Sequence, residues 1–125
     1  MKKQARNHYR IDIGKWGEDL ACQFLGTHGL QLIDRNVRTP YGEIDLVMVA
    51  ERITVFVEVK TRTNLEGGYP EESVTEDKMD RMSECAQWFM DFHNKNNEAW
   101  RVDVVAVIGQ PEKATPQIEW FQNEF

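Results

Sequence analysis

The chain has 125 residues, a length that fits one domain and leaves no room for a second core. Its composition, 41% hydrophobic and 29% charged, is typical of globular proteins and excludes disordered and fibrous architectures. The net charge of −6 divides into +2 over residues 1–62 and −8 over residues 63–125, so one basic face can coexist with acidic residues that serve solubility.

The hydropathy pattern and the cysteine spacing argue against two further classes of protein, namely membrane or secreted proteins and modules built on zinc or disulfides. No apolar stretch approaches the roughly 20 residues that a membrane span requires, and the charged N-terminus is not followed by the apolar region of a signal peptide. We therefore expect a cytoplasmic protein with no membrane partner. Cys22 and Cys85 are far apart and lack a C-x-x-C or nearby histidine pattern, which argues against a zinc module or a disulfide scaffold.

The chain begins with a basic arm, residues 1–11, which contains four lysines and arginines and no acidic residue. Asp12 is then placed to cap a helix over residues 13–27, and Gly29 to end it. Glu18 is spaced so that its carboxylate lies at the edge of the core-facing side of this helix.

Three β-branched, apolar segments follow, and only about four residues separate the second from the third, so these two should form a hairpin. A second helix, capped by Thr75, then leads to a strand apolar enough to be buried on both faces. The order α-β-β-β-α-β predicts an α/β fold with a mixed central sheet flanked by helices. The predicted strands are 30–36, 43–49, 54–61 and 101–108, the helices 13–27 and 75–94, the domain 12–109 and the C-terminal tail 110–125.

The hairpin brings charged residues together. Pairing the strands across the Ala50–Ile53 loop sets Asp45 opposite Glu58, and Glu43 opposite Lys60, all on one face of the sheet. Two carboxylates with Cβ atoms about 5 Å apart in an apolar hairpin repel each other and are costly to desolvate. A divalent cation or a shared proton would offset that cost. The alternative is a Glu43–Lys60 salt bridge, with the other two acids at a solvated end of the sheet.

A metal site at this position has a matching chemistry. Hydrolysis of a phosphodiester requires neutralisation of phosphoryl charge and an activated water, and a hard cation held by carboxylates supplies both. Lys60 is placed to orient the water or to stabilise transition-state charge. Glu18 could reach the same site from the first helix, directly or through water.

Several linked motifs follow one another along the chain. They are Gly17-Glu18 with Asp19-Leu20-Ala21, Arg35-Asn36-Val37-Arg38, Gly42-Glu43-Ile44-Asp45-Leu46, Phe56-Val57-Glu58-Val59-Lys60-Thr61-Arg62, Lys78 and Arg101-Val102-Asp103-Val104-Val105. Together they resemble the motifs of one family, the widespread bacterial endonuclease-like proteins related to archaeal Holliday junction resolvases. The resemblance covers residues 10–108 and implies the restriction-endonuclease-like core of the PD-(D/E)XK class, with Mg²⁺ as cofactor and Mn²⁺ as a substitute. It implies that Asp45 and Glu58 are metal ligands, Lys60 the catalytic lysine and Glu18 a helix-borne catalytic acid.

Three further cations are candidates for phosphate contacts. Lys78 lies in the first turn of the second helix, where the helix dipole disfavours a cation. Arg38 and Arg62 flank the hairpin and are placed to contact the nucleic-acid backbone. Lys78 is equally explained as an exposed lysine balanced by Glu76 and Asp77, and arginines in the positions of Arg38 and Arg62 are more often solvated surface residues. Asp103, an acid within an apolar strand, is interpreted as the structural partner of an arginine, with Arg101 and Arg35 as the candidates.

The function predicted first is an Mg²⁺-dependent endonuclease that acts on DNA, with branched or structured DNA suggested by the resemblance. The alternative is a nucleic-acid-binding module that keeps the fold but has little turnover and works with a protein partner, for which the acidic C-terminal half is suited. The sequence leaves open the oligomeric state, with a homodimer as one option, and the choice between DNA and RNA.

Overall fold

A computed structural model describes residues 12–123 and shows an α/β fold in which a mixed five-stranded sheet carries one helix on each face. The basic arm, residues 1–11, lies outside the described residues. The predicted order α-β-β-β-α-β is confirmed, with a fifth strand after it. The elements are α1 Ile13–Thr27, β1 Gln31–Thr39, β2 Gly42–Ala50, β3 Ile53–Arg62, a 3-10 helix Pro70–Ser73, α2 Glu76–Phe92, β4 Trp100–Ile108 and β5 Gln117–Gln122.

Both helices begin where the sequence predicted. The carboxylate of Asp12 accepts a hydrogen bond of 3.1 Å from the Lys15 N–H, and Thr75 Oγ1 accepts one of 3.3 Å from the Lys78 N–H. These bonds satisfy first-turn amides that have no partner within the helix. Gly29, with a φ of +92°, takes the left-handed conformation that ends α1. Neither helix has the length and apolarity that crossing a membrane would require.

The sheet has the strand order β1-β2-β3-β4-β5. All neighbouring strands are antiparallel except β3 and β4, which are parallel because α2 crosses over between them. The predicted register of the central hairpin is confirmed, since Val49 pairs with Thr54. The first hairpin closes tightly, with Thr39 paired to Gly42 across a two-residue turn.

Each face of the sheet carries its own core. Side chains of α2 pack against one face around Phe56, and side chains of α1 pack against the other around Val57. Strand β4 contributes to both cores, because residues 102–107 are all buried, as their largely apolar sequence predicted. The two helices are therefore held on opposite sides of β3, the strand that carries the candidate lysine.

Strand β5 lies within residues 110–125, whose pattern predicted only a tail. Its attachment depends on Asp103, a fully buried carboxylate on β4. Asp103 accepts hydrogen bonds from Arg101 Nε at 3.1 Å, Trp120 Nε1 at 2.9 Å and the Asn123 N–H at 3.1 Å. A buried carboxylate is stable only with such partners, so the structural interpretation of Asp103, with Arg101 as its cation, is confirmed.

Helix α1 approaches the sheet closely at one point. Gly17 is buried against Thr61 of β3, and a Cβ atom at position 17 would overlap the threonine hydroxyl. The absence of a side chain therefore lets the first half of α1 lie directly on β3. Glu18, the next residue, is carried to the edge of the sheet by this contact.

Candidate active site

Strand β2 leaves the regular ladder at Asp45. Its pairs with β3 run only as far as Leu46–Val57, so the predicted pairing of Asp45 with Glu58 is not formed. Instead, the Val59 N–H donates a 2.8 Å hydrogen bond to Asp45 Oδ2. The carboxylate thus takes a position that a β2 carbonyl occupies in a regular antiparallel pair.

The same irregularity is present on the other side of β2. Strand β1 pairs with β2 at Arg35–Leu46 and again at Val37–Ile44, but Asn36 is passed over. Asn36 has a φ of +49°, the left-handed conformation that asparagine tolerates better than most residues. Asn36 and Asp45 are left unpaired together, so the register is the same on both sides of them, whereas the register shift of β1 lies between Leu32 and Asp34. A period-two pattern cannot predict such a local break, and this is why the predicted pairing failed at Asp45.

The Asp45 carboxyl lies in an unfavourable environment for a negative charge. Burial raises its pKa to about 7, with further contributions from the carboxylates of Glu58 and Glu18, while the Val59 N–H and the Lys60 ammonium act in the opposite direction. No cationic side chain among residues 12–123 forms an ion pair with Asp45. The site therefore holds a carboxylate that is not ion-paired to any cation in the described part of the chain.

Glu58 and Lys60 form an ion pair in which Lys60 Nζ lies 3.1 Å from Glu58 Oε1. Both side chains are largely buried, with 20% and 22% of their surfaces exposed. The alternative Glu43–Lys60 salt bridge is not formed, because β2 has already diverged from β3 at this level. The lysine instead holds the acid two residues before it on the same face of β3.

Glu18 reaches the site from α1 through Asn36. The Asn36 amide donates hydrogen bonds to Glu18 Oε1 at 3.1 Å and to Glu43 Oε1 at 3.2 Å, so that one side chain joins the helix carboxylate to a carboxylate of β2. Arg35 lies 3.6 Å from Glu18 and 2.7 Å from Asp19. Asn36 lies in one of the sequence motifs but had no predicted role, although asparagine is uncommon within strands.

A cavity of about 230 Å³ opens beside the Glu58–Lys60 pair, between the sheet and the start of α2. Lys78, a predicted phosphate ligand, lines it, and so does Arg81, which the sequence analysis missed although it lies one helical turn after Lys78. Neither Lys78 nor Arg81 forms an ion pair with another described residue. The lining residues are Gly42, Glu43, Glu58, Lys60, Val74, Lys78, Arg81, Met82 and Cys85.

The remaining two predicted cations do not line this cavity. Arg38 is exposed on the edge strand β1, opposite Glu43 in the ladder. Arg62 lies at the end of β3, where its guanidinium donates a 3.2 Å hydrogen bond to the Thr61 carbonyl. Both positions are compatible with contacts to a ligand that extends beyond the cavity.

The donor set suits Mg²⁺ better than a metal that demands a complete protein cage. No group of three or more His, Cys, Asp or Glu side chains within residues 12–123 is arranged to hold a metal ion. Mg²⁺ commonly binds through one or two carboxylates and keeps several waters. Asp45 and Glu58 would provide that pair, and a cation there would offset the charge that Lys60 leaves unneutralised.

Comparison with known proteins places residues 17–107 in a family model described as "Uncharacterised protein family UPF0102". Relatives named "UPF0102 protein" include one from Syntrophotalea carbinolica, 38% identical over 118 residues and covering 94% of both chains. Another from Rhodococcus opacus is 40% identical, covering 94% of this chain and 98% of the relative. A third from Chloroherpeton thalassium is 43% identical over 98 residues, 78% of this chain and 76% of the relative. The matched segment contains every candidate site residue.

Proposed function

We propose that this chain, which belongs to the uncharacterised protein family UPF0102, is an Mg²⁺-dependent endonuclease that hydrolyses phosphodiester bonds in DNA. The observation that carries the proposal is the position of the Asp45 carboxylate. It lies in a break of the β2–β3 ladder, fixed by the Val59 N–H and adjacent to the Glu58–Lys60 ion pair. A desolvated acid next to a Glu–Lys pair that lines a cavity with further cations forms a site suited to phosphoryl chemistry.

In this proposal Asp45 and Glu58 hold the cation. Mg²⁺ at this position supplies charge neutralisation at the phosphoryl oxygens and a more acidic water. The Val59 N–H keeps the Asp45 carboxylate oriented toward Glu58, which reduces the rearrangement needed to use both groups together.

Lys60 acts on charge that develops during the reaction. Its ammonium is held 3.1 Å from Glu58, on the wall of the cavity, where a phosphate group would be within reach of its three N–H donors. If Glu58 held a cation, the Lys60 ammonium would be available to contact the phosphate or the attacking water. Glu18, held by Asn36 and Arg35, adds negative charge on the α1 side and can bind a water of the metal's shell.

The substrate class follows from the cavity's other wall. Lys78 and Arg81 present two cations that form no ion pair with a described acid, and they line the same cavity as Glu58 and Lys60, where they would contact phosphates next to the one that reacts. These contacts would bind the sugar–phosphate backbone and would not distinguish one base from another. The preference for branched or structured DNA, suggested by the resemblance to resolvases, belongs to the same proposal.

A second candidate function is a DNA-binding module with little turnover. The Glu58–Lys60 ion pair favours it, because a lysine that remains bound to Glu58 withholds both groups from catalysis. The two candidates agree on the binding surface and differ only in whether a cation displaces the lysine from its partner.

A cleavage assay separates them. The protein is incubated with a labelled four-way DNA junction and with linear duplex of the same sequence, in Mg²⁺, in Mn²⁺ and in EDTA, while binding is followed by fluorescence anisotropy. We expect cation-dependent cleavage that Asp45→Asn and Lys60→Met reduce by about a hundredfold or more, with little change in binding. Lys113→Met, on an exposed lysine outside the cavity, is the control. Binding without cleavage would favour the module, and absence of both would refute the proposal.

A further inference from the structure

A second concave surface lies on the outer side of α2, separate from the cavity of the candidate site. It has a volume of about 200 Å³ and shares no lining residue with that cavity. We call it the α2 groove, and it is lined by Tyr41, Glu84, Gln87, Trp88 and Asp91.

Aromatic rings form the apolar part of the α2 groove. Tyr41 is 47% exposed on the turn between β1 and β2, and Trp88 faces it from α2. Phe92 extends this surface: it is 66% exposed, and its ring stacks on Trp88 with a centroid separation of 5.0 Å. Large exposed rings that lie together are characteristic of interaction surfaces.

Carboxylates form the polar part. Glu84 and Asp91 are four residues before and three residues after Trp88, so all three lie on one face of the helix. The Gln87 side chain donates a 3.0 Å hydrogen bond to Asp91 Oδ1, which fixes that carboxylate. Within residues 12–123, neither Glu84 nor Asp91 forms an ion pair. The last cation of α2 is Arg81, so the C-terminal half of the helix is acidic without compensation.

The groove is also held in shape without a ligand. The Tyr41 N–H donates to Thr39 Oγ1 at 3.1 Å, and the same hydroxyl lies 2.8 Å from the Gly42 carbonyl and 3.1 Å from Cys85 Sγ of α2. These contacts fix the β1–β2 turn against the helix. A ligand would therefore lose little free energy in ordering the aromatic wall.

We propose that the α2 groove binds an arginine side chain of a partner protein, with an apolar residue next to that arginine packed on Phe92. A guanidinium stacks on aromatic faces and pairs with carboxylates through a planar set of donors, so it matches both components of the surface. Nucleic acid is the poorer match, because Glu84 and Asp91 repel phosphate. The groove would then serve to bring the protein to a partner while the candidate site remains free.

The test is an NMR titration of the full ¹⁵N-labelled chain with an acetylated, amidated arginine–leucine dipeptide. A dipeptide in which citrulline replaces arginine is the matched probe, since it keeps the shape and removes the charge. We expect saturable shifts confined to Tyr41, residues 84–92 and the Trp88 indole N–H. We expect affinity to fall at least tenfold with the citrulline probe and in the variant E84Q/D91N.

The control variant E76Q/D80N makes the same change of charge on the same helix outside the groove, and it should bind like the wild type. Equal binding of both dipeptides, equal loss in both variants, or no binding at 20 mM peptide would overturn the proposal. Groove shifts produced by a short oligothymidylate in place of the dipeptide would also overturn it and assign the surface to nucleic acid. None of these outcomes depends on nuclease activity.

Discussion

The backbone N–H of Val59 donates to the side chain of Asp45 at 2.8 Å, where an unbroken hairpin would use a backbone carbonyl. One carboxylate therefore has two roles, since it completes the hydrogen bonding of β3 and places negative charge between two strands. The bond from the Val59 N–H favours the ionised carboxyl, but it offsets only part of the cost of burying that charge.

The first prediction concerns stability against pH. Because the pKa of Asp45 is raised to about 7, its contribution to folding is fully present below pH 4 and is lost as the pH rises through 7. Asp45→Asn keeps an acceptor for Val59 and removes the titration. We expect the free energy of unfolding of the wild type, relative to the variant, to fall by about 4 kcal/mol between pH 4 and pH 8. Urea unfolding in EDTA at both pH values measures it.

Asp80→Asn is the control for this experiment, because Asp80 is exposed on α2 and makes no contact with the candidate site. The difference between wild type and this control should stay within about 0.5 kcal/mol from pH 4 to pH 8. If the difference in unfolding free energy between the wild type and Asp45→Asn is also independent of pH, the Asp45 carboxyl is not held in a desolvated position.

The second prediction concerns the cation. At pH 8 we expect Mg²⁺ or Mn²⁺ to raise the melting temperature of the wild type, since an ion that binds only the folded state stabilises it by about 2.7 kcal/mol at a hundred times its Kd. Protons compete for Asp45, so the rise should be smaller at pH 6. Asp45→Asn should abolish it. A rise that survives this substitution would place the ion elsewhere.

The third prediction distinguishes Lys60 from the acids. Lys60→Met removes the ammonium that pairs with Glu58, so Glu58 becomes more available to a cation. We expect the variant to bind Mg²⁺ at least as tightly as the wild type in isothermal titration calorimetry while losing cleavage. Weaker binding of Mg²⁺ would show that Lys60 supports the fold of the site and does not act only on the reaction.

The fourth prediction concerns Asn36. Asn36→Asp preserves the side-chain shape and tolerates the left-handed φ, but it replaces a donor shared by Glu18 and Glu43 with a third carboxylate. We expect a loss of about 1–2 kcal/mol at low salt, measured by urea unfolding and reduced in 1 M NaCl. Asn94→Asp, at a residue with a φ of 56°, is the matched control. Equal losses of unfolding free energy in both variants would show that the hydrogen bonds from Asn36 to Glu18 and Glu43 have no special role in stability.

The fifth prediction concerns DNA affinity. Replacing Lys78 and Arg81 with glutamine should weaken binding to all sequences and lower the slope of log affinity against log salt by about 0.9 per lost phosphate contact. Replacing Arg38 and Arg62 with glutamine should also weaken binding and lower the salt slope if the DNA extends beyond the cavity. An unchanged slope in both pairs of variants would mean that the binding face has been misplaced.

Strong local patterns account for what could be predicted from the sequence. Asp12 and Thr75 are good caps before amphipathic segments, and the helices start where they predict. The β-branched alternation around Val49 and Thr54 determines the hairpin register, because a shift by one residue would turn its apolar side chains to the wrong face.

Features that depend on tertiary contacts were not predictable in this way. The departure of β2 at Asp45 accompanies the left-handed φ of Asn36 and one side-chain bond to Val59. Strand β5 is short and follows two prolines, and the partner that holds it, Asp103, is 17 residues from Trp120. Arg81 belongs to the cavity only because α2 crosses the sheet at that place.

The close contact of Gly17 with Thr61 has a consequence for how the site tolerates substitution. The combined volume of residues 17 and 61 sets the spacing between helix α1 and strand β3, and hence the separation of the Glu18 carboxylate from the acids of the sheet. Gly17→Ala alone should push the helix outward, whereas Gly17→Ala with Thr61→Ala removes the overlapping hydroxyl and leaves a tight Cβ contact of 3.0 Å, so the displacement should be smaller. Two positions that take no part in the chemistry are thus coupled in size, and each limits which residues the other can accept.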